Sequence, residues 1–176
     1  MNNLNFFNLV KNLDRDHQDN LNWFWENKGI TMKWSDIRDS SVTNGNFARV
    51  LKGIYRPAGK EYVLAIKNLI GSEYNSRESE DVYKDDRGGW YFEYPPEINE
   101  RGFNATNNGP LIKSSNMLAP VGFIYQVQKK PNTVLYKIYG PCLVRYQDQT
   151  DIFQLYGFND QGDVRFLDSS TSKKLS

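Results

Sequence analysis

The chain has 176 residues, a formal net charge of +1 and one cysteine, Cys142. This length suits one domain with a buried core. Because the chain has only one cysteine and one histidine, it cannot form an internal disulfide or a zinc cluster of those residues. A near-neutral charge argues against diffuse capture of nucleic acid, so such binding would need a local basic surface and a specific pocket. No apolar run approaches the roughly 18 residues of a membrane span, and no signal sequence opens the chain, so we expect a soluble, cytoplasmic protein. Cys142 has apolar neighbours, and we expect it to be a buried core residue.

Apolar residues at three- to four-residue steps predict an amphipathic helix from residue 6 to residue 25. They are Phe6, Val10, Leu13, Leu21 and Phe24. The helix should end near Asn27 to Gly29, where glycine can adopt the left-handed cap. Residues 34–46 are rich in Asp, Ser and Asn, which is typical of a connector.

Short runs rich in Val, Ile, Tyr and Phe follow and predict strands. The runs are residues 62–70, 90–94, 120–127, 134–146 and 152–158. A helix followed by many short strands indicates an α+β domain built on a curled sheet or barrel with flanking helices. Two polar stretches, 73–86 and 95–116, lack periodicity and predict long loops, which are usually functional or disordered.

Aromatic residues gather around the first polar stretch. Tyr74 opens it, and Trp90, Tyr91 and Tyr94 follow it. A flat ring with a polar edge suits stacking on an extruded nucleobase, which contributes about 1 to 3 kcal/mol per base. The alternative is that these rings are core residues of a small barrel with hydrated hydroxyl groups.

An ordered series of motifs resembles the SRA (SET- and RING-associated, or YDG) domain of the McrA-type, modification-dependent HNH restriction endonucleases. The series spans residues 46–158 and comprises KGIYRP (52–57), YVLAIK (62–67), SEY (72–74), WYFEY (90–94), NNGPL (107–111), PVGFIYQ (120–126) and YKIYG (136–140). The resemblance implies an SRA/PUA-like fold over residues 46–168. Residues 1–45 would be an N-terminal helix and connector packed on it, and residues 169–176 a tail or linker.

The same resemblance implies a pocket for a modified base. Tyr74 and Tyr94 would lie on the two faces of a flipped cytosine, with Trp90 beside them. Asn75, Ser76 or a later acidic residue would read the Watson–Crick edge, because cytosine offers an amine donor and two acceptors. Many family members have aspartate two or three positions after the tyrosine, and this chain does not.

Other residues are expected to contact the duplex. Asn107 and Asn108 resemble the family's inserting loop, although Asn108-Gly109 is equally compatible with a tight turn. Arg56, Lys67 and Lys113 flank these loops and would contact phosphates, which position a reader without specifying sequence. For each of these cations a solvated surface charge is the alternative.

The resemblance therefore implies a non-catalytic sensor of 5-methyl- or 5-hydroxymethylcytosine in duplex DNA. No metal or cofactor is expected, and the partner would be an HNH-type nuclease domain in cis or in trans. Three alternatives remain open: an RNA-binding PUA-like module, a barrel that binds a small ligand or a protein, and a self-contained metal-dependent nuclease. The nuclease would use the triplet Glu26-Asn27-Lys28 and the acidic Glu97.

Overall fold

A computed structural model describes residues 4–40, 53–70 and 82–166. The helices are α1 (Phe6–Val10), α2 (Arg15–Glu26), α3 (Trp34–Ser40) and α4 (Ala105–Met117). The strands are β1 (Leu4–Asn5), β2 (Thr31–Met32), β3 (Ile54–Tyr55), β4 (Ala65–Asn68), β5 (Tyr83–Lys84), β6 (Trp90–Tyr94), β7 (Ile98–Asn99), β8 (Gly102–Phe103), β9 (Val121–Gln128), β10 (Leu135–Gln147), β11 (Ile152–Gly157) and β12 (Asp163–Val164). Every predicted strand run overlaps one of these strands, and 90–94 coincides with β6.

The main sheet is organised around the long strand β10. Its first half pairs with β9 and its second half with β11, so that Cys142 lies opposite both Val121 and Gly157. The strand order is β3-β4-β9-β10-β11-β6-β5, and β2 adds to β10. All these pairs are antiparallel except β4 with β9.

The sheet curls on itself. Four strands separate β6 from β3 in the sheet order, yet a Cβ built on Gly53, just before β3, would lie 3.0 Å from the Tyr94 hydroxyl at the end of β6. In the described part of the chain β3 and β5 remain unpaired with each other, so the curl is not a closed barrel. The predicted α+β class with a curled sheet and flanking helices is confirmed.

Both faces of the sheet are covered by apolar side chains. Inside the curl, Phe92, Phe123 and Phe153 pack with Leu111 of α4. On the outer face, the first three helices cover part of the sheet, with Phe24 and Ile37 packed into the same cluster as Ile138. Helix α2 packs closely on β9: the Phe24 ring lies so near to Gly122 that a Cβ added there would be 2.3 Å from it. Removal of these apolar surfaces from water is the main source of stability.

The N-terminal helix is interrupted where one continuous helix was predicted. Asp14 caps α2, since its carboxylate accepts a hydrogen bond from the His17 backbone N–H at 3.0 Å. An aspartate at this position satisfies an otherwise unpaired helix donor and favours a new helix start. The predicted end is confirmed, because Asn27 caps α2 and Gly29 has a φ of +84°.

Two segments expected to lack regular structure are partly helical. Helix α3 occupies residues 34–40 of the predicted connector, and α4 occupies much of the predicted loop 95–116. Tertiary contacts explain α4: Leu111 is fully buried, and the Ser114 hydroxyl accepts a hydrogen bond from the Val63 N–H at 2.9 Å. Such contacts override the low helix propensity of its Asn, Gly and Pro residues.

The single cysteine is fully buried, as predicted. Burial raises the pKa of its thiol. Within residues 4–40, 53–70 and 82–166, no helix combines the length and the apolar character that crossing a membrane requires.

Candidate functional site

Strand β6 directs alternate aromatic side chains into the curl. Trp90, Phe92 and Tyr94 are buried, and the two residues between them are half-buried. The Trp90 indole N–H donates to the Tyr139 carbonyl at 2.9 Å, and its ring stacks on Phe123 with centroids 5.2 Å apart. Trp90 is therefore enclosed in the core at the opposite end of β6 from Tyr94.

The chain leaves β6 through two prolines and places Glu97 inside the protein, 7% exposed. Its backbone is held by Asn108 of α4, whose amide oxygen accepts from the Glu97 N–H at 2.9 Å and whose amide nitrogen donates to the Glu97 carbonyl at 2.7 Å. The Asn104 N–H donates to the same carbonyl at 3.0 Å. Three hydrogen bonds thus fix the position of Glu97.

The Glu97 side chain meets two other polar groups beside Gly53. The amide nitrogen of Asn107 donates a short hydrogen bond to carboxylate Oε2. A Cβ built on Gly53 would lie 3.0 Å from the Tyr94 hydroxyl, 3.4 Å from Glu97 Oε1 and 3.5 Å from the Lys67 carbonyl. We call Gly53, Tyr94, Glu97, Asn107 and Asn108 the Tyr94–Glu97 site.

Among the described residues, no cation neutralises the carboxylate of this site. Within the ranges 4–40, 53–70 and 82–166, no lysine or arginine forms an ion pair with Glu97. Lys67 contributes its carbonyl, while its ammonium group lies 4.6 Å from the centre of the Trp34 ring. Burial lowers the pKa of Lys67. A buried carboxylate is costly unless donors satisfy it, so this site suits a ligand that brings a hydrogen-bond donor.

The residues predicted to form the base pocket fall in two groups. Tyr74, Asn75 and Ser76 lie outside the described residues. Tyr94 lies at the Tyr94–Glu97 site, and Trp90 lies in the core at the other end of β6.

Two of the predicted phosphate contacts, Arg56 and Lys113, engage adjacent residues of the segment between β3 and β4. Arg56 is exposed and donates to the Lys60 carbonyl at 2.7 Å within its turn. Lys113 is exposed and pairs with Glu61 at 3.6 Å. Both remain predictions as phosphate contacts, as does Lys67.

The predicted inserting loop or tight turn at residues 107–110 is wrong. These residues are helical, and Asn108 is fully buried. Asn107 and Asn108 instead bind the side chain and the backbone of Glu97. The sequence analysis considered Glu97 only as an acid of a nuclease. An acidic residue that follows an aromatic strand after two prolines was a usable signal for this site.

The nuclease alternative gains no support from the geometry. In the portions of the chain that the structure describes, no group of three or more His, Cys, Asp or Glu residues is placed to hold a metal ion. Lys28 of the triplet donates to the Phe158 carbonyl at 2.5 Å, and Glu26 is exposed at the end of α2.

No protein-family profile and no curated protein matches the chain. Solved structures with a similar arrangement include KRYPTONITE in complex with mCHG DNA and SAH, at 12% identity and a TM-score of 0.42, covering 93% of this chain and 40% of that chain. Another is the SUVH5 SRA complex with hemimethylated CG DNA, at 13% identity and a TM-score of 0.40, covering 81% and 89%. A third is the DNA recognition domain of the cytosine modification-dependent restriction endonuclease LpnPI, at 12% identity and a TM-score of 0.34, covering 73% and 70%.

This similarity is distant, and the chain spans 40% of the first of these proteins. The functional interpretation therefore depends on the residues of this chain.

Proposed function

We propose that this chain binds duplex DNA containing a modified cytosine, flips that base out of the helix and holds it at the Tyr94–Glu97 site. The observation that carries this proposal is a fixed, buried carboxylate, with no cationic partner in the part of the chain that the structure describes, beside a tyrosine that ends a strand of a curled sheet. The ordered motifs of the sequence support the same interpretation.

The chemistry of cytosine matches these groups. Its exocyclic amine is a donor that a carboxylate accepts, whereas its N3 and O2 atoms are acceptors. Flipping costs a few kcal/mol of lost stacking and pairing, and a snug slot offsets this loss only for a base that fits. In this proposal Glu97 accepts from the amine, and the Tyr94 ring forms one wall of the slot.

The remaining contacts of the proposal follow the sequence expectations. Tyr74 forms the opposite wall, with Asn75 and Ser76 beside the base, and the exposed Arg56 and Lys113 contact phosphates. We further propose that the chain is a non-catalytic, cytoplasmic sensor, and that a nuclease domain of the HNH type, in cis or in trans, cuts the DNA.

A titration tests the proposal. Fluorescence anisotropy is measured with four duplexes that differ at one cytosine, which is unmodified, 5-methylated, 5-hydroxymethylated or glucosylated. We expect at least a tenfold preference for one modified duplex, and we expect Tyr74→Ala to abolish that preference. Equal affinity for all four duplexes, or equal competition by RNA of the same sequence, would contradict the proposal.

A further inference from the structure

Asn68, the last residue of β4, is a buried polar residue to which the proposed function gives no role. It is 3% exposed, and its amide nitrogen Nδ2 donates to no acceptor in the described part of the chain. Most buried polar groups in proteins are hydrogen-bonded, so an unpaired buried donor calls for an explanation. An acceptor that a ligand brings would supply one.

The position of Asn68 on β4 fixes the direction of its side chain, because side chains alternate between the two faces of a strand. Ile66 belongs to the apolar cluster inside the curl, whereas the Lys67 ammonium group lies over the Trp34 ring on the outer face. Asn68 is also opposite Tyr125 in the pairing of β4 with β9, and Tyr125 belongs to the same inner cluster. The Asn68 amide therefore faces the interior of the curl.

The backbone that carries Asn68 borders the Tyr94–Glu97 site. The Lys67 carbonyl, which is part of the peptide bond between Lys67 and Asn68, lies 3.5 Å from the position of a Cβ on Gly53. The same Cβ position is 3.4 Å from Glu97 Oε1. Tyr94 also belongs to the inner cluster. The unpaired amide and the two main groups of the site therefore share one end of the curl.

The amide nitrogen and the carboxylate offer complementary groups to a base. An ionised Glu97 only accepts hydrogen bonds, whereas Asn68 Nδ2 donates. Cytosine presents the matching groups on neighbouring positions of its Watson–Crick edge, since its exocyclic amine donates and N3 beside it accepts. Thymine carries a hydrogen on N3, so a donor at this place would also discriminate against thymine.

We propose that Asn68 Nδ2 donates a hydrogen bond to N3 of the flipped cytosine, beside the Glu97 carboxylate that accepts from the amine. This inference rests on the proposed function and makes Asn68 a residue that determines specificity. In the free protein the donor is unpaired, and in the complex the base satisfies it. The amide thus contributes to recognition rather than to the stability of the free protein.

A comparison of two bases tests this assignment. Competition anisotropy is measured with duplexes that carry 5-methylcytosine or 5-methyl-3-deazacytosine, in which a C–H group replaces N3. The ratio of the two affinities should be about fivefold larger in the wild type than in Asn68→Ala, which is the usual net effect of one hydrogen bond. A different cost of flipping the analogue cancels, because both proteins bind the same two duplexes. Asn20→Ala, which removes a buried amide from α2 on the outer face, is the matched control and should keep the wild-type ratio.

Thermal melting separates recognition from packing. Asn68→Leu keeps the branching of the side chain and removes its polar atoms. Because Nδ2 is unpaired in the free protein, this variant should melt at or above the wild-type temperature and still bind the 5-methylcytosine duplex about fivefold more weakly. A lower melting temperature with an unchanged base ratio would show a structural role and overturn the proposal. If Asn68→Ala does not fold, the base ratio is measured with Asn68→Leu.

The two proposals fail in different ways. If the wild type prefers modified DNA but its base ratio equals that of the Asn68 variants, the role of Asn68 is wrong and the proposed function stands. If the wild type has no preference for a modified duplex, the proposed function is wrong, and the role of Asn68 fails with it.

Discussion

Replacing Glu97 by glutamine should change which base the pocket accepts while leaving the fold intact. The two side chains have the same shape. Asn107 donates to Oε2, so the glutamine oxygen should take that position and the amide nitrogen should take the position of Oε1, near Gly53 and Tyr94. A group that accepts a hydrogen bond thereby becomes one that donates.

The size of the effect follows from the lost hydrogen bond. A hydrogen bond between an amine and a buried carboxylate contributes about 1.5 to 3 kcal/mol, which is about 10- to 150-fold in affinity. The free energy of unfolding should change by less than about 1 kcal/mol, because the bonds from Asn108 to the backbone of Glu97 remain.

Thymine provides the comparison base, since it shares the 5-methyl group with 5-methylcytosine but has a carbonyl in place of the amine. The assay is competition anisotropy with duplexes carrying 5-methylcytosine or thymine opposite the same guanine. The affinity ratio of the two duplexes should shift toward thymine by about tenfold or more in Glu97→Gln. Glu26→Gln, at an exposed glutamate, is the matched control; an unchanged ratio in Glu97→Gln would refute the assigned role.

Three further predictions concern the scaffold. Gly157→Ala should lower the free energy of unfolding by about 3 kcal/mol in urea titrations, because the added Cβ would lie 2.2 Å from the Trp90 ring; a loss below about 1 kcal/mol would be inconsistent with this packing. The Cys142 thiol should resist a disulfide reagent at pH 8 in the folded protein and react after unfolding, because burial raises its pKa; rapid reaction of the native protein would contradict this. His17 is 2% exposed, and burial lowers its pKa despite its hydrogen bond to the Val63 carbonyl. The unfolded state therefore binds the proton more tightly, so stability should fall as the pH is lowered through about 6.5, and His17→Gln should flatten that part of the profile.

The five longer strands and the curl could be predicted from the sequence because their segments combine β-branched and aromatic residues with flanking turn signals, whereas the two-residue strands were not predicted. The segment 134–146 is one example, since its apolar run fixes β10 without reference to distant residues. The break at Asp14 was missed because the apolar period continues across it, although an aspartate in a capping position is a local signal for a helix start.

The candidate site could not be predicted in the same way. Glu97 becomes notable only because the fold brings Gly53, 44 residues earlier, against it. Asn108-Gly109-Pro110 has the composition of a turn, and the helix there depends on contacts with Glu97 and with Val63.

A crystal structure of the chain with a duplex that contains one 5-methylcytosine tests the central claim most directly. We predict that the base lies outside the helix, with its amine within 3.2 Å of a Glu97 carboxylate oxygen and one face against the Tyr94 ring. A 5-methylcytosine that remains stacked and paired, or a flipped base bound away from Glu97, would contradict the account.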